Sequence, residues 1–140
     1  MVDLNPLRLQ MLVDQFASDT IIRENIDPNL EFDFIIDAVG YSKTRQDASL
    51  LCRPGGVIAH IGLGDGTGGL DVRRMTLQEI TFIGTYTYTP DDFKETAEAI
   101  FTSQMGDFGW VEERSLDQGH NAFVDILEGN VSASKIVLRP

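Results

Sequence analysis

Apolar residues recur along this chain with two spacings, and the alternation between them predicts its elements. Short apolar runs of strand length occupy residues 20–22, 32–37, 57–61, 81–85 and 135–138. Between them the spacing is helical. Leu7, Met11, Leu12 and Phe16 mark one face of a helix opened by Pro6, with Asn5 as its N-cap. A helix over 42–51 is ended by the turn Arg53-Pro54-Gly55-Gly56, and a brief helical stretch covers 72–79. Pro90 and Asp91 open a longer helix through Phe101, with Phe93, Ala97, Ile100 and Phe101 on its inner face. Ala122, Phe123, Ile126 and Leu127 make an amphipathic helix closed by Gly129. The weakest pattern lies over 110–117. Phe32-Asp33-Phe34-Ile35-Ile36-Asp37 is apolar enough to predict a strand buried on both faces.

Strands alternating with helices imply βαβ units around a doubly wound parallel sheet, an α/β fold in a single domain over residues 1–140. The start is unusual. Met1-Val2-Asp3 reads as the end of a strand, so the expectation is a sheet lacking its first strand and helix.

Composition narrows the function. The 140 residues are 42% hydrophobic and 24% charged, ordinary for a globular domain and short for a cofactor domain plus a substrate domain. With 22 acids against 11 bases the net charge is −11, which argues against nucleic acid and acidic membranes as partners. A small anionic cofactor stays open, because local backbone N–H groups can hold it despite the overall field. No apolar run approaches a membrane span, and the N-terminus lacks the pattern of a signal peptide. The single cysteine, Cys52, reads as a core thiol in a reducing, cytoplasmic setting.

Several positions carry candidate chemistry. Asp3, at a strand end before Leu4 and Arg8, could accept hydrogen bonds from two adjacent ribose hydroxyls, or could be a surface acid near a helix start. Gly64-Asp65-Gly66-Thr67-Gly68-Gly69 matches a phosphate-binding glycine pattern, yet no long helix follows it, so a mobile loop is expected there. The ends of successive strands, at Asp37-Ala38-Val39-Gly40, Ile61-Gly62-Leu63 and Thr85-Tyr86-Thr87, fall where open α/β sheets bind ligands; turn chemistry alone would also explain the glycines. His60 reads as a hydrogen-bonded core histidine and His120 as a solvated one. No Cys/His set has zinc-ligand spacing, and no residue is assigned a catalytic or metal-binding role.

Taken in order, Val2-Asp3-Leu4-Asn5-Pro6-Leu7-Arg8-Leu9, Phe32-Asp33-Phe34-Ile35-Ile36-Asp37-Ala38-Val39-Gly40, Leu51-Cys52-Arg53-Pro54-Gly55-Gly56 and Ser134-Lys135-Ile136-Val137-Leu138 resemble the cofactor-binding half of the medium-chain, zinc-type alcohol and polyol dehydrogenases. The resemblance implies a Rossmann-like fold and NAD(H) as cofactor. It implies an alcohol or polyol substrate, a homo-oligomer, and zinc held by a part of the enzyme other than this chain. By the same resemblance Asp3, Leu4 and Arg8 meet the adenosine ribose, and Val39 and Gly40 the adenine end. Ile61, Gly62 and Leu63 meet the nicotinamide carboxamide, Thr85, Tyr86 and Thr87 the next tip, and Lys135 the pyrophosphate. The family's glycine fingerprint would precede Met1, so the isolated chain is expected to bind cofactor weakly and not to turn over. Two other readings are a non-catalytic oligomerisation domain and a methyltransferase-like nucleotide-binding domain.

Overall fold

A computed structural model describes residues 1–106 and 109–140. They form two compact units, Met1–Ile26 with Asp92–Pro140, and Asp27–Asp91. Every strand pair is parallel, and helices fill the crossovers, which is the expected Rossmann-like α/β class. Among the described residues the strands hydrogen-bond in three groups rather than one continuous sheet. No helix among them is long and apolar enough to cross a membrane.

In the first unit β1 (Val2–Asp3) pairs with β2 (Ile21–Ile22) across helix α1 (Pro6–Phe16). The predicted cap is present: Asn5 Oδ1 accepts from the N–H groups of Leu7 and Arg8 at 2.9 and 3.4 Å. Asn5 Nδ2 donates to the carbonyls of Gly129 and Val131, 3.2 Å each, so the same side chain also ties down the chain that follows the last helix. The apolar face of α1 differs from expectation. Leu9 is buried, Met11 and Leu12 are half-buried, and Leu7 and Phe16 are exposed. A strand pair two residues long has room to cover about one turn of helix.

Also in this unit, β6 (Val111–Ser115) pairs with β7 (Lys135–Arg139) across α5 (Gly119–Glu128). The sequence hid β6 because Glu112, Glu113 and Arg114 break the apolar alternation. The charges are paired instead: Arg114 with Glu112 at 2.6 Å and with Asp125 of α5 at 2.7 Å, Glu113 with Arg139 of β7. Gly129 closes α5 as predicted, at φ 73°, donating to the carbonyls of Asp125 and Ile126. Helix α5 buries Ala122 and leaves Phe123, Ile126 and Leu127 exposed. In α4 (Pro90–Phe101) the expected inner face is likewise exposed at Phe93, Ile100 and Phe101, and only Ala97 and Ala99 are half-buried.

The second unit is a sheet ordered β3 (Phe32–Asp37), β4 (Cys52–His60), β5 (Thr81–Gly84), connected by α2 (Ser42–Leu51) and α3 (Val72–Leu77). Its core is Ala48, Cys52, Ile58 and Ile80, with Ile35, Met75 and Phe82 packed around them. That core uses one face of the sheet. The prediction that β3 is buried on both faces fails: Phe34 is 55% and Ile36 57% exposed, and Ile83 of β5, in register with Ile36 across Ala59 of β4, is exposed too. Alternate residues of a strand point to opposite faces, and only the Ile35 side is covered. The predicted turn at Arg53-Pro54-Gly55-Gly56 lies inside β4, as an irregularity in the ladder. Phe32 pairs with Cys52, and the next paired position, Phe34, already faces Val57. Gly55, at φ 74°, donates its N–H to the carbonyl of Gln78 at 2.8 Å.

Candidate functional site

In the second unit the carboxyl ends of β3, β4 and β5 lie side by side, because the three strands are parallel and neighbouring. Asp37 organises the first tip. Its buried carboxylate accepts from the N–H groups of Val39 at 3.1 Å and Gly40 at 2.9 Å through Oδ1. Oδ2 lies 3.0 Å from the Thr44 hydroxyl. That hydroxyl has one proton and two acceptors in reach, and the ionised carboxylate attracts it more than the Tyr41 carbonyl does. The Asp37 carbonyl accepts from Ile61 and Gly62 N–H at 2.9 and 3.0 Å, which joins the first tip to the second.

Gly40 and Gly62 meet backbone to backbone. A Cβ on Gly40 would lie 2.2 Å from the carbonyl carbon and oxygen of Gly62, and one on Gly62 would lie 2.2 Å from the Val39 carbonyl carbon. Both glycines are buried, so their lack of a side chain serves the packing of the two tips. The residues facing outward are Val39, Ile61 and Leu63. At the third tip the Thr85 N–H donates to the His60 carbonyl at 2.9 Å, and Thr85, Tyr86 and Thr87 are exposed.

The Gly64–Gly69 loop is pinned, contrary to the mobile loop expected. The Arg45 guanidinium, on α2, enters it with its side chain only 7% exposed. Its Nε donates to the Gly68 carbonyl at 2.7 Å, and Nη1 donates to those of Gly40 at 2.7 Å and Asp65 at 3.1 Å. Nη2 reaches the Thr67 carbonyl at 2.6 Å and pairs with the Asp65 carboxylate. Asp65 also accepts from Ser42 N–H at 2.9 Å, which caps the start of α2 from outside the helix. These contacts, Ser42 N–H first and Arg45 second, hold the Asp65 carboxyl below the usual carboxylate range. The loop therefore holds a guanidinium with its carbonyls and turns the Gly64, Asp65 and Thr67 N–H groups onto the protein, and Asp65 adds negative charge that a phosphate would meet.

His60 differs in detail from the hydrogen-bonded core residue expected. Its ring packs on Phe82 with centroids 5.3 Å apart, and Nε2 is 3.5 Å from Asp37 Oδ2 without a hydrogen bond. Cys52 is the core thiol predicted; burial pushes its pKa up, and Arg74 and Arg53 oppose that shift more weakly.

Asp3, Leu4, Arg8 and Lys135 belong to the first unit. Asp3 Oδ1 accepts from Asn5 N–H at 2.8 Å and Oδ2 from Arg8 Nη1 at 3.3 Å. Each oxygen keeps a second lone pair, and the side chain is partly exposed, so a vicinal diol is an acceptable further donor. Leu4 is exposed, as is Lys135 at the start of β7, opposite Val111. Two grooves occur elsewhere. One of about 400 Å³ lies along α1 and β2, lined by Leu9, Val13 and Ile21 among others. Another of about 700 Å³ lies between α2 and the start of α3, lined by Gln46, Leu50 and Arg74 among others. Neither includes a predicted contact residue. The sequence reading missed Asp37, Thr44, Arg45 and Asp65 as a connected group. The signal was present: Arg45 stands three and four residues before Ala48 and Ser49, on the buried face of α2.

Residues 12–102 match the family model for zinc-binding dehydrogenases. The chain belongs to the zinc-binding dehydrogenase family. Solved structures share the fold of this chain at low identity. Acetophenone reductase from Geotrichum candidum, in complex with NAD, is 22% identical at a TM-score of 0.81, over 99% of this chain and 40% of its own. Benzyl alcohol dehydrogenase from Acinetobacter calcoaceticus is 20% identical at 0.80, over 99% and 42%. L-idonate 5-dehydrogenase from Escherichia coli is 15% identical at 0.80, over 98% and 41%. The chain thus spans about 40% of the length of the solved relatives it matches. No curated protein matches it in a sequence search. Despite the family's name, no group of three or more His, Cys, Asp or Glu among the described residues could hold a metal ion, so the described residues do not fit zinc.

Proposed function

We propose that this chain is the cofactor-binding portion of an NAD(H)-dependent alcohol or polyol dehydrogenase, one domain over residues 1–140. The observation that carries the reading is the family match over residues 12–102. The parallel strand tips of the second unit and the acid at the end of β1 support it, since both are positions where such folds hold dinucleotides. Asp3, with Leu4 and Arg8 beside it, accepts the adenosine ribose hydroxyls; its charge disfavours a 2′-phosphate, hence NAD over NADP. Val39, held by Gly40, lines the adenine side. Ile61 and Leu63, held by Gly62, with Thr85, Tyr86 and Thr87, line the nicotinamide side and exclude water from it. Lys135 offsets pyrophosphate charge. When bound, the nicotinamide ring supplies the acceptor for a hydride leaving an alcohol carbon. We place the protein in the cytoplasm as a homo-oligomer, a reading favoured by its single reduced cysteine and its exposed apolar side chains.

Calorimetric titration of the 140-residue chain tests this. NAD should bind weakly, with Kd on the order of 0.1–1 mM, NADP more weakly still, and Asp3→Ala should remove the preference. The chain alone should not oxidise alcohols. Binding of S-adenosylmethionine without NAD would sink the proposal in favour of a methyltransferase-like domain.

A further inference from the structure

We propose that Arg45 is a positioning residue, locking the Val39-Gly40 and Ile61-Gly62-Leu63 strand tips and the Gly64–Gly69 loop into one fixed edge for the cofactor. The inference rests on the NAD-binding reading and assigns a role to the glycine cluster that the reading leaves unused.

A guanidinium this deeply buried is unfavourable unless its donors are satisfied, and here Nε, Nη1 and Nη2 all have acceptors. The acceptors are spread over the loop at Asp65, Thr67 and Gly68, and one belongs to a strand tip, Gly40. The planar fork suits this set, because it presents donors in several fixed directions at once; a lysine ammonium is a compact charge on a flexible stem. The Gly40 carbonyl also takes the Asp65 N–H at 2.9 Å, and the Val39 carbonyl takes the Gly64 N–H at 3.1 Å. Gly69 lies against Ser42, with a Cβ there falling 2.0 Å from the Ser42 carbonyl oxygen, so the far end of the loop is seated on α2. Gly40 is wedged against Gly62. A shift of the guanidinium therefore moves both tips together, and the outward residues Val39, Ile61 and Leu63 move with them.

Binding depends steeply on such placement, so the effect should be read in affinity as well as in stability. NAD titrations of the wild-type chain, Arg45→Met, Arg45→Lys and the core variant Ile58→Val are combined with amide hydrogen exchange at Gly64 and Asp65. Arg45→Met should weaken NAD binding by about tenfold or more and remove protection at both amides, Arg45→Lys should do less, and Ile58→Val should lower stability at unchanged affinity. Unchanged affinity in a folded Arg45→Met overturns the proposal, as does an Ile58→Val that weakens NAD equally. Should Arg45→Met fail to fold, Arg45→Lys decides, and wild-type affinity there overturns it. A wild-type chain that does not bind NAD, with protection still lost in Arg45→Met, refutes the cofactor reading and the positioning role with it. NAD binding that is insensitive to Arg45 refutes the positioning role alone.

Discussion

Replacing Gly40 by alanine should destabilise the chain far more than the same change at Gly55. Both glycines have nearly the same backbone conformation, φ 77° and φ 74°, so an L side chain meets the same local strain at each, about 1–2 kcal/mol. The surroundings differ. Nothing lies within 4 Å of a Cβ at Gly55, whereas at Gly40 the Gly62 carbonyl stands 2.2 Å away and cannot rotate aside as a side chain could. Relieving that overlap separates the tips of β3 and β4, at about 1–3 kcal/mol for overpacking. It also strains the bonds from Gly64 and Asp65 N–H to the Val39 and Gly40 carbonyls, each worth about 1 kcal/mol. Strain and overpacking together come to about 2–5 kcal/mol for Gly40→Ala, before any loss of those bonds, against about 1–2 for Gly55→Ala. With a typical urea dependence of about 2 kcal/mol per molar, the midpoint should fall by roughly 2 M in the first variant and by less than about 1 M in the second. Equal shifts in the two variants would refute the reasoning, since they would mean that the tips are not in close contact.

Two further outcomes follow from the ionisable groups. Asp65 and Glu113 both titrate below the ordinary carboxylate range, Asp65 through Ser42 N–H and Arg45, Glu113 through Arg139. A depressed carboxylate stabilises fully above its unfolded pKa of about 4 and loses that contribution as pH falls through the lower folded value. Urea midpoints measured downward from pH 5 should therefore drop, and Asp65→Asn should flatten the drop; a steeper profile in the variant would contradict the assignment. The Cys52 thiol, buried and with its pKa raised, should react with a thiol reagent at pH 7.5 only as fast as the second unit opens. Labelling that rises with urea in step with unfolding is the expected result, and rapid labelling of the native chain would place the thiol outside the core.

Much of the fold was legible because local chemistry decided it. Asn5-Pro6 and Gly129 mark helix ends through backbone needs that do not depend on distant partners, and the structure has them where the sequence put them. Strand β6 was not legible, since Glu112, Glu113 and Arg114 interrupt the apolar alternation and two of their partners, Asp125 and Arg139, lie in other elements. Burial was misjudged for a related reason. The apolar runs at 32–37 and in α4 and α5 report that a side chain favours cover, and cannot say which neighbour supplies it. At the site the strand tips were found from topology alone. The role of Arg45 was hidden because four of its acceptors are main-chain carbonyls, Gly40, Asp65, Thr67 and Gly68, and any residue type carries a carbonyl.

The bare face of the second unit has a colloidal consequence. Strand β3 stands at the edge of its sheet with Phe34 and Ile36 uncovered, the arrangement that invites strands of other molecules to add on. A chain carrying −11 at neutral pH keeps its copies apart by long-range repulsion. Acid or high salt removes that protection while leaving the sticky strand in place, so handling conditions, more than folding strength, set whether this protein stays dispersed.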